Sequence, residues 1–195
     1  MNIQQTALPE NHPDFATTYH NIGSVYEKIG QYSKALDYYD ICLNIRNIAL
    51  PENHPDLASS YNKIGSVYLK IGEYSKALHY HNTCLKIWKA AVPENHPHLA
   101  ACYNNIALIY YNMGEHSKAL DYYTRCLNVR KVVLSENHID LAVSYNNIAS
   151  VYYKIAEYFK SLDYYEKCVN IQKIVLPENH PDLATSFNNI GSVYY

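Results

Sequence analysis

The 195 residues are 48 % hydrophobic and 17 % charged, enough apolar material to bury an extended core and too much for a disordered chain. A net charge of -2 and a pI near 6.5 carry no single-sign field, so neither a nucleic-acid backbone nor an anionic membrane is an expected partner. The opening MNIQQTALPENHP has no basic start followed by an apolar run, and nothing later approaches the roughly 18 uninterrupted apolar residues of a membrane span; no membrane insertion is expected, and the chain reads as cytoplasmic.

One unit is copied along the chain. LPENHPD stands at 8–14, 50–56 and 176–182, and VPENHPH and LSENHID hold the same register at 92–98 and 134–140, so the period is 42 residues. Asn2, Ile3 and Gln4 lie in phase with Asn170, Ile171 and Gln172, which makes residues 1–7 the expected tail of a preceding second helix. Four units follow at 8–49, 50–91, 92–133 and 134–175, and 176–195 is read as the first helix of a fifth, truncated unit. The ragged ends point to a segment of a longer array, because half a hairpin cannot bury its apolar side alone.

Within a unit, the residues after the loop recur at helical spacing: Phe15, Tyr19, Ile22, Tyr26 and Ile29 form the first stripe. Gly30 is expected to stop that helix, as Gly72 and Gly114 stop the next two. A second helix follows from Tyr32, with its stripe at Ala35, Tyr39, Cys42, Leu43 and Ile45. Pro51 ends it, and Pro55 suits the first position of the next helix, where its missing N–H costs nothing. Asp14, Asp56, Asp140 and Asp182 then fall in first turns, where the helix dipole favours a carboxylate by about 0.3 to 1 kcal/mol. The expected fold is all-α, an α-solenoid in which antiparallel helix hairpins stack into a right-handed superhelix.

The spacing of large and small residues resembles the tetratricopeptide repeat. The first copy reads Tyr19, Ile22-Gly23, Tyr26, Ala35 and Tyr39; the second Tyr61, Ile64-Gly65, Tyr68, Ala77 and His81. Copies three and four place Ala107 and Ala149 at the small position and Tyr123 and Tyr165 at the last. The family's usual period is about 34 residues; a 42-residue repeat with a His-Pro loop and the segment Tyr103 to Ala107 is similar to the repeats of kinesin light chain. That resemblance implies a groove accepting extended cargo-adaptor peptides, often with an aromatic between acidic residues, and a cytoskeletal association. It also implies kinesin heavy chain as a partner, held by a heptad coiled coil that is not among these residues.

Catalysis is not expected. Helices pack about 8 to 10 Å apart, so histidines of successive Glu-Asn-His triplets (His12, His54, His96, His138, His180) stand too far apart for zinc, which holds each nitrogen at about 2 Å. Those triplets read as turn and capping residues, and His79 and His81 as packing substitutions. Cys42, Cys84, Cys126 and Cys168 repeat with the period and Cys102 does not; disulfides, which need Cα atoms within about 7 Å, are not expected between copies, and all five read as small core residues. No glycine-rich phosphate loop or nucleophile elbow is present, and no cofactor or metal is expected.

Binding is the expected function. With Tyr61, Ile64 and Tyr68 turned inward, Asn62 and Ser66 fall on the other side of the first helix, and the phase repeats at Asn104, Asn146 and Asn188, flanked by Asn105 and Asn147. In a stacked array the first helices line the concave face, where amides match a peptide main chain. Specificity is expected from Tyr111 and Tyr153 one turn on and from Lys70 and Lys154, which would meet an acidic peptide. His20 replaces the asparagine in the first copy. Alternatives are a structural spacer, with the asparagines merely bonding neighbouring helices, or a regulatory arm of a larger protein with an enzyme or motor domain elsewhere.

Overall fold

The computed structural model describes residues 13–194. The chain divides into two compact units, Met1–Ala91 and Val92–Tyr195. In the first, α1 (Pro13–Lys28) pairs with α2 (Tyr32–Ala49), α3 (Pro55–Lys70) pairs with α4 (Tyr74–Ala91), and α2 packs on α3. In the second, α5 (Pro97–Asn112) pairs with α6 (His116–Val133) and α7 (Ile139–Lys154) with α8 (Tyr158–Val175). There α6 packs on α7, and α8 on α9 (Pro181–Val193). The architecture is helix hairpins throughout, as the period requires. The expected helix tail at 1–7 and the first LPENHP lie outside the described residues.

Each helix ends where local chemistry ends it. Gly30, Gly72 and Gly114 take φ of 77°, 81° and 78°. Past them the next residue reaches back five positions: Gln31 N to Tyr26 O, Glu73 N to Tyr68 O and Glu115 N to Tyr110 O, each at 2.9 Å. This closes the last carbonyls of the helix. The fourth copy makes the same turn, Glu157 N to Tyr152 O at 2.9 Å, with Ala156 at φ 60°. Ile29, expected as the end of the inward stripe, instead lies beyond α1 and is 59 % exposed, because the turn has already swung away from the hairpin.

At the other end of the hairpin the Glu-Asn-His triplets do act as caps, through histidine. His54, His96, His138 and His180 hold extended backbone, and each Nδ1 accepts from the N–H two residues on, at 3.1, 3.3, 3.1 and 3.2 Å. That satisfies a first-turn donor that would otherwise have no partner.

Inside the first two hairpins a glycine of the first helix stands directly against a ring of the second. A Cβ on Gly23 would stand 2.8 Å from the Tyr39 ring, and one on Gly65 would stand 2.9 Å from His81. Tyr39, His81, Tyr123 and Tyr165 are all buried. Outside this contact a second ring is layered between two others: Tyr38 beside Tyr19 and Tyr26 at 6.1 and 5.4 Å, with the same arrangement around Tyr80, Tyr122 and Tyr164. Such pairs contribute about 0.5 to 1.5 kcal/mol beyond area burial.

Between hairpins, within each unit, the second helix is pinned to the next first helix. Cys42 Sγ meets Ser60 Oγ at 3.8 Å, and Arg46 Nη1 donates to Ser60 Oγ at 2.8 Å and to Asp56 O at 2.9 Å. Cys126, Arg130, Asp140 and Ser144 repeat this, with both arginine bonds at 2.8 Å. Cys168 meets Ser186 at 3.7 Å. The five cysteines are buried free thiols, and burial pushes Cys42, Cys126 and Cys168 up from the ordinary thiol range. Cys102 is out of phase because it stands in the register of Ser60, Ser144 and Ser186.

Two substitutions test these contacts. Ala156→Gly should raise the urea midpoint and Gly72→Ala lower it, each by the equivalent of about 1 kcal/mol, because only glycine holds positive φ without strain. His81, whose ring nitrogens are buried without partners, has its pKa pushed down by burial to about 4. The unfolded chain takes that proton near the ordinary 6.5, so the stability His81 permits is complete above pH 6.5 and is lost as pH falls toward 4, by up to about 3 kcal/mol. His81→Tyr, which restores the residue of the other copies, should therefore gain on the wild type as pH is lowered; chemical denaturation at pH 7 and 4.5 measures it, and an unchanged difference contradicts it.

Candidate functional site

Apart from Asn188, the asparagines of the row lie half-buried on the first helices. In the second unit Asn147 Nδ2 donates to Asn104 Oδ1 and Asn189 Nδ2 donates to Asn146 Oδ1, both at 3.1 Å. Each bond ties one first helix to the next and fixes the plane of two amides. It uses the acceptor of Asn104 or Asn146 and one donor of Asn147 or Asn189, so amide groups of both kinds remain along the row. Asn105 is half-buried beside this row, and Asn188 is exposed on α9. The serines of the register turn back on their own helices: Ser66 Oγ donates to Asn62 O at 2.8 Å, and Ser150 to Asn146 O at 2.9 Å. Ser66 is thus left able to accept but not to donate outward.

The first unit carries a charged counterpart. Where the second unit has an asparagine pair, the first has His20 and Lys63, and where the second has Tyr111, it has Glu27. The Glu27 side chain is only 10 % exposed. It takes Lys70 Nζ at 2.7 Å, Lys63 Nζ at 3.8 Å and the Tyr39 hydroxyl at 2.8 Å. Burial works to raise its pKa, but the bonds from Lys70 and Tyr39 and the charge of Lys63 outweigh that and hold it below the ordinary value. His20 is pushed down by its own burial and by Arg46 and Lys63. Lys70, expected to meet an acidic ligand, is therefore already neutralised by a carboxylate of its own unit. Lys154 occupies the same register, but the residue in the register of Glu27 is Tyr111, and Lys154 is exposed.

Tyr111 and Tyr153 are half-buried, Tyr111 tilted against His116 at 5.8 Å and Tyr153 against Tyr158 at 5.9 Å. Behind Tyr153's helix, the Tyr165 hydroxyl meets Ser150 Oγ at 3.1 Å. Glu27 organises the charged site; Tyr39 and Lys63 join it, and no one-dimensional spacing brings those three together. A weak signal existed in the register, since a carboxylate falls where other copies hold apolar or aromatic residues. Among the described residues no three His, Cys, Asp or Glu side chains are grouped to hold a metal, and no helix is long and apolar enough to cross a membrane.

Among curated proteins no sequence match is found. Solved structures resemble this fold closely. The nearly identical TPR-like repeats from Podosopora anserina assigned to kinesin light chain superpose with a TM-score of 0.81 at 20 % identity, covering 94 % of this chain and 87 % of that one. BtubC (BKLC) from P. vanneervenii gives 0.82 at 24 % identity, over 93 % of this chain and 72 % of that one. The apo form of RapI gives 0.79 at 20 %, over 91 % and 62 %. At these identities the likeness establishes the fold alone, a solenoid of helix hairpins. The sequence pattern described as Tetratricopeptide repeat matches residues 14–90, 78–131, 98–174 and 140–195. With nearly the whole chain matched and its hairpins closing on the small-residue and ring contacts described above, this protein belongs to the tetratricopeptide repeat family.

Proposed function

We infer that the chain is a non-catalytic interaction scaffold whose first helices hold extended peptide segments by their main chain. The observation that carries this is the amide row of the second unit, with Asn104, Asn146 and Asn147 held in fixed planes by their cross-helix bonds. Fixed amides offer donors and acceptors without the cost of ordering them on binding. Asn105 and Asn188 extend the row, Tyr111 and Tyr153 supply flat apolar area beside it, and Lys154 supplies the cation that favours acidic residues in the ligand. In the first unit Asn62 and Ser66 would contact a ligand in the same manner, whereas Lys70 would have to leave Glu27 to do so. A cytoplasmic setting fits a scaffold of this kind.

A structural spacer is the second reading, and it has its own observation: the same amide bonds that preorganise the row also glue α5 to α7 and α7 to α9. The two differ in what they require of the outward-facing groups. A peptide array screened with the wild type should give a set of extended binders. Asn104→Ala combined with Asn146→Ala should weaken them by about tenfold or more, at about 1 kcal/mol per hydrogen bond lost, while circular dichroism stays helical. Lys154→Gln should remove the preference for acidic members at low salt. An array without binders, or binders indifferent to the double substitution, would leave the spacer.

A further inference from the structure

Within the two units, the arginine that pins one hairpin to the next is missing at one seam. Arg46 and Arg130 each donate to a first-turn carbonyl and a buried serine, and the residue in their register on α8 is Gln172. Gln172 is 7 % exposed, and its Oε1 is buried with no hydrogen-bond partner. The space differs accordingly. Beside Arg46 a hollow of about 70 Å³ remains, which reaches neither Cys42 nor Ser60. Beside Gln172 it is about 170 Å³, and it runs down to Cys168 and Ser186, with Asn146, Asp182 and Thr185 on its walls. Asp182 is the one charged residue lining it.

We propose that this hollow is a guanidinium site, which takes the arginine side chain of a partner protein where the chain's own arginine is absent. The two filled seams show what fits: a planar group bridging the carbonyl of residue 56 or 140 and the hydroxyl four residues on. At the open seam the matching acceptors are Asp182 O and Ser186 Oγ, and Gln172 Oε1 adds a third. A guanidinium has five donors in a rigid fork and can serve all three; an ammonium is a point charge and an apolar group would leave them unpaired. The Asp182 carboxylate favours the positive charge. Asn146 is on the wall, so an arginine in a segment lying along the amide row would reach in; that link rests on the proposed peptide binding, but the site itself does not.

The test is an NMR titration of the full chain with N-acetyl-arginine N-methylamide, followed at the Gln172 side-chain amide and the Thr185 and Ser186 backbone amides. Saturable shifts are expected, with the neutral citrulline analogue about tenfold weaker and the lysine analogue between them. Gln172→Arg should abolish them by filling the site from within, and Arg130→Gln should open a second set at Ser144. Asn104→Ala, away from this seam, should leave the small probe unaffected even though it weakens whole peptides, so loss of the peptide row and loss of this site are told apart. A flat titration up to about 50 mM, equal shifts from citrulline, or undiminished binding to Gln172→Arg would overturn the assignment.

Discussion

Everything in this molecule depends on how closely the two helices of a hairpin can approach at one point, where a residue with little or no side chain on the first helix faces a ring on the second. Gly23 against Tyr39 and Gly65 against His81 leave no room for even one more methyl without the ring moving. Close packing at that density transmits position: once the ring is seated, its neighbours along both helices have a fixed register. The layered tyrosines and the polar row of the first helix are consequences of that seating.

The seams between hairpins follow a different logic. They are polar at the centre, with a thiol, a hydroxyl and a guanidinium meeting under a first-turn carbonyl. Such a contact is directional, so it sets the rotation of one hairpin on the next as well as holding it. It is also replaceable, because each group comes from a separate position of the repeat. Gln172 in place of arginine leaves the helices packed but the acceptors open, and that is how a structural joint acquires the character of a recognition pocket.

The surface proposed to bind differs between the units for the same reason. Asn147 and Asn104 form a neutral rung, while His20, Lys63, Glu27 and Lys70 form a charged one in the corresponding register. The charged rung is self-satisfied, with Glu27 nearly out of solvent and both lysines turned toward it. The neutral rung leaves amide groups and the exposed Lys154. Chemistry in a repeat protein therefore lies in departures from the repeat, since the shared residues are consumed in making the stack.

The 42-residue period, the helix limits and the buried stripes could be read from one dimension, because helix punctuation and apolar spacing are local properties: Pro55 starts a helix and Gly72 ends one whatever lies nearby. The identity of the asparagine row was legible too, since any side chain opposite Tyr61 and Ile64 must face away from the hairpin. What the row bonds to was not legible. That Asn147 holds Asn104, that Lys70 is spent on Glu27 and that Gln172 borders a hollow all depend on distances between residues far apart in the chain, or on rotamers chosen by packing. Local pattern determined which faces turn in or out; only the tertiary structure decided which outward groups are already satisfied by one another, because hydrogen bonds and ion pairs form across helices and have no period along the chain.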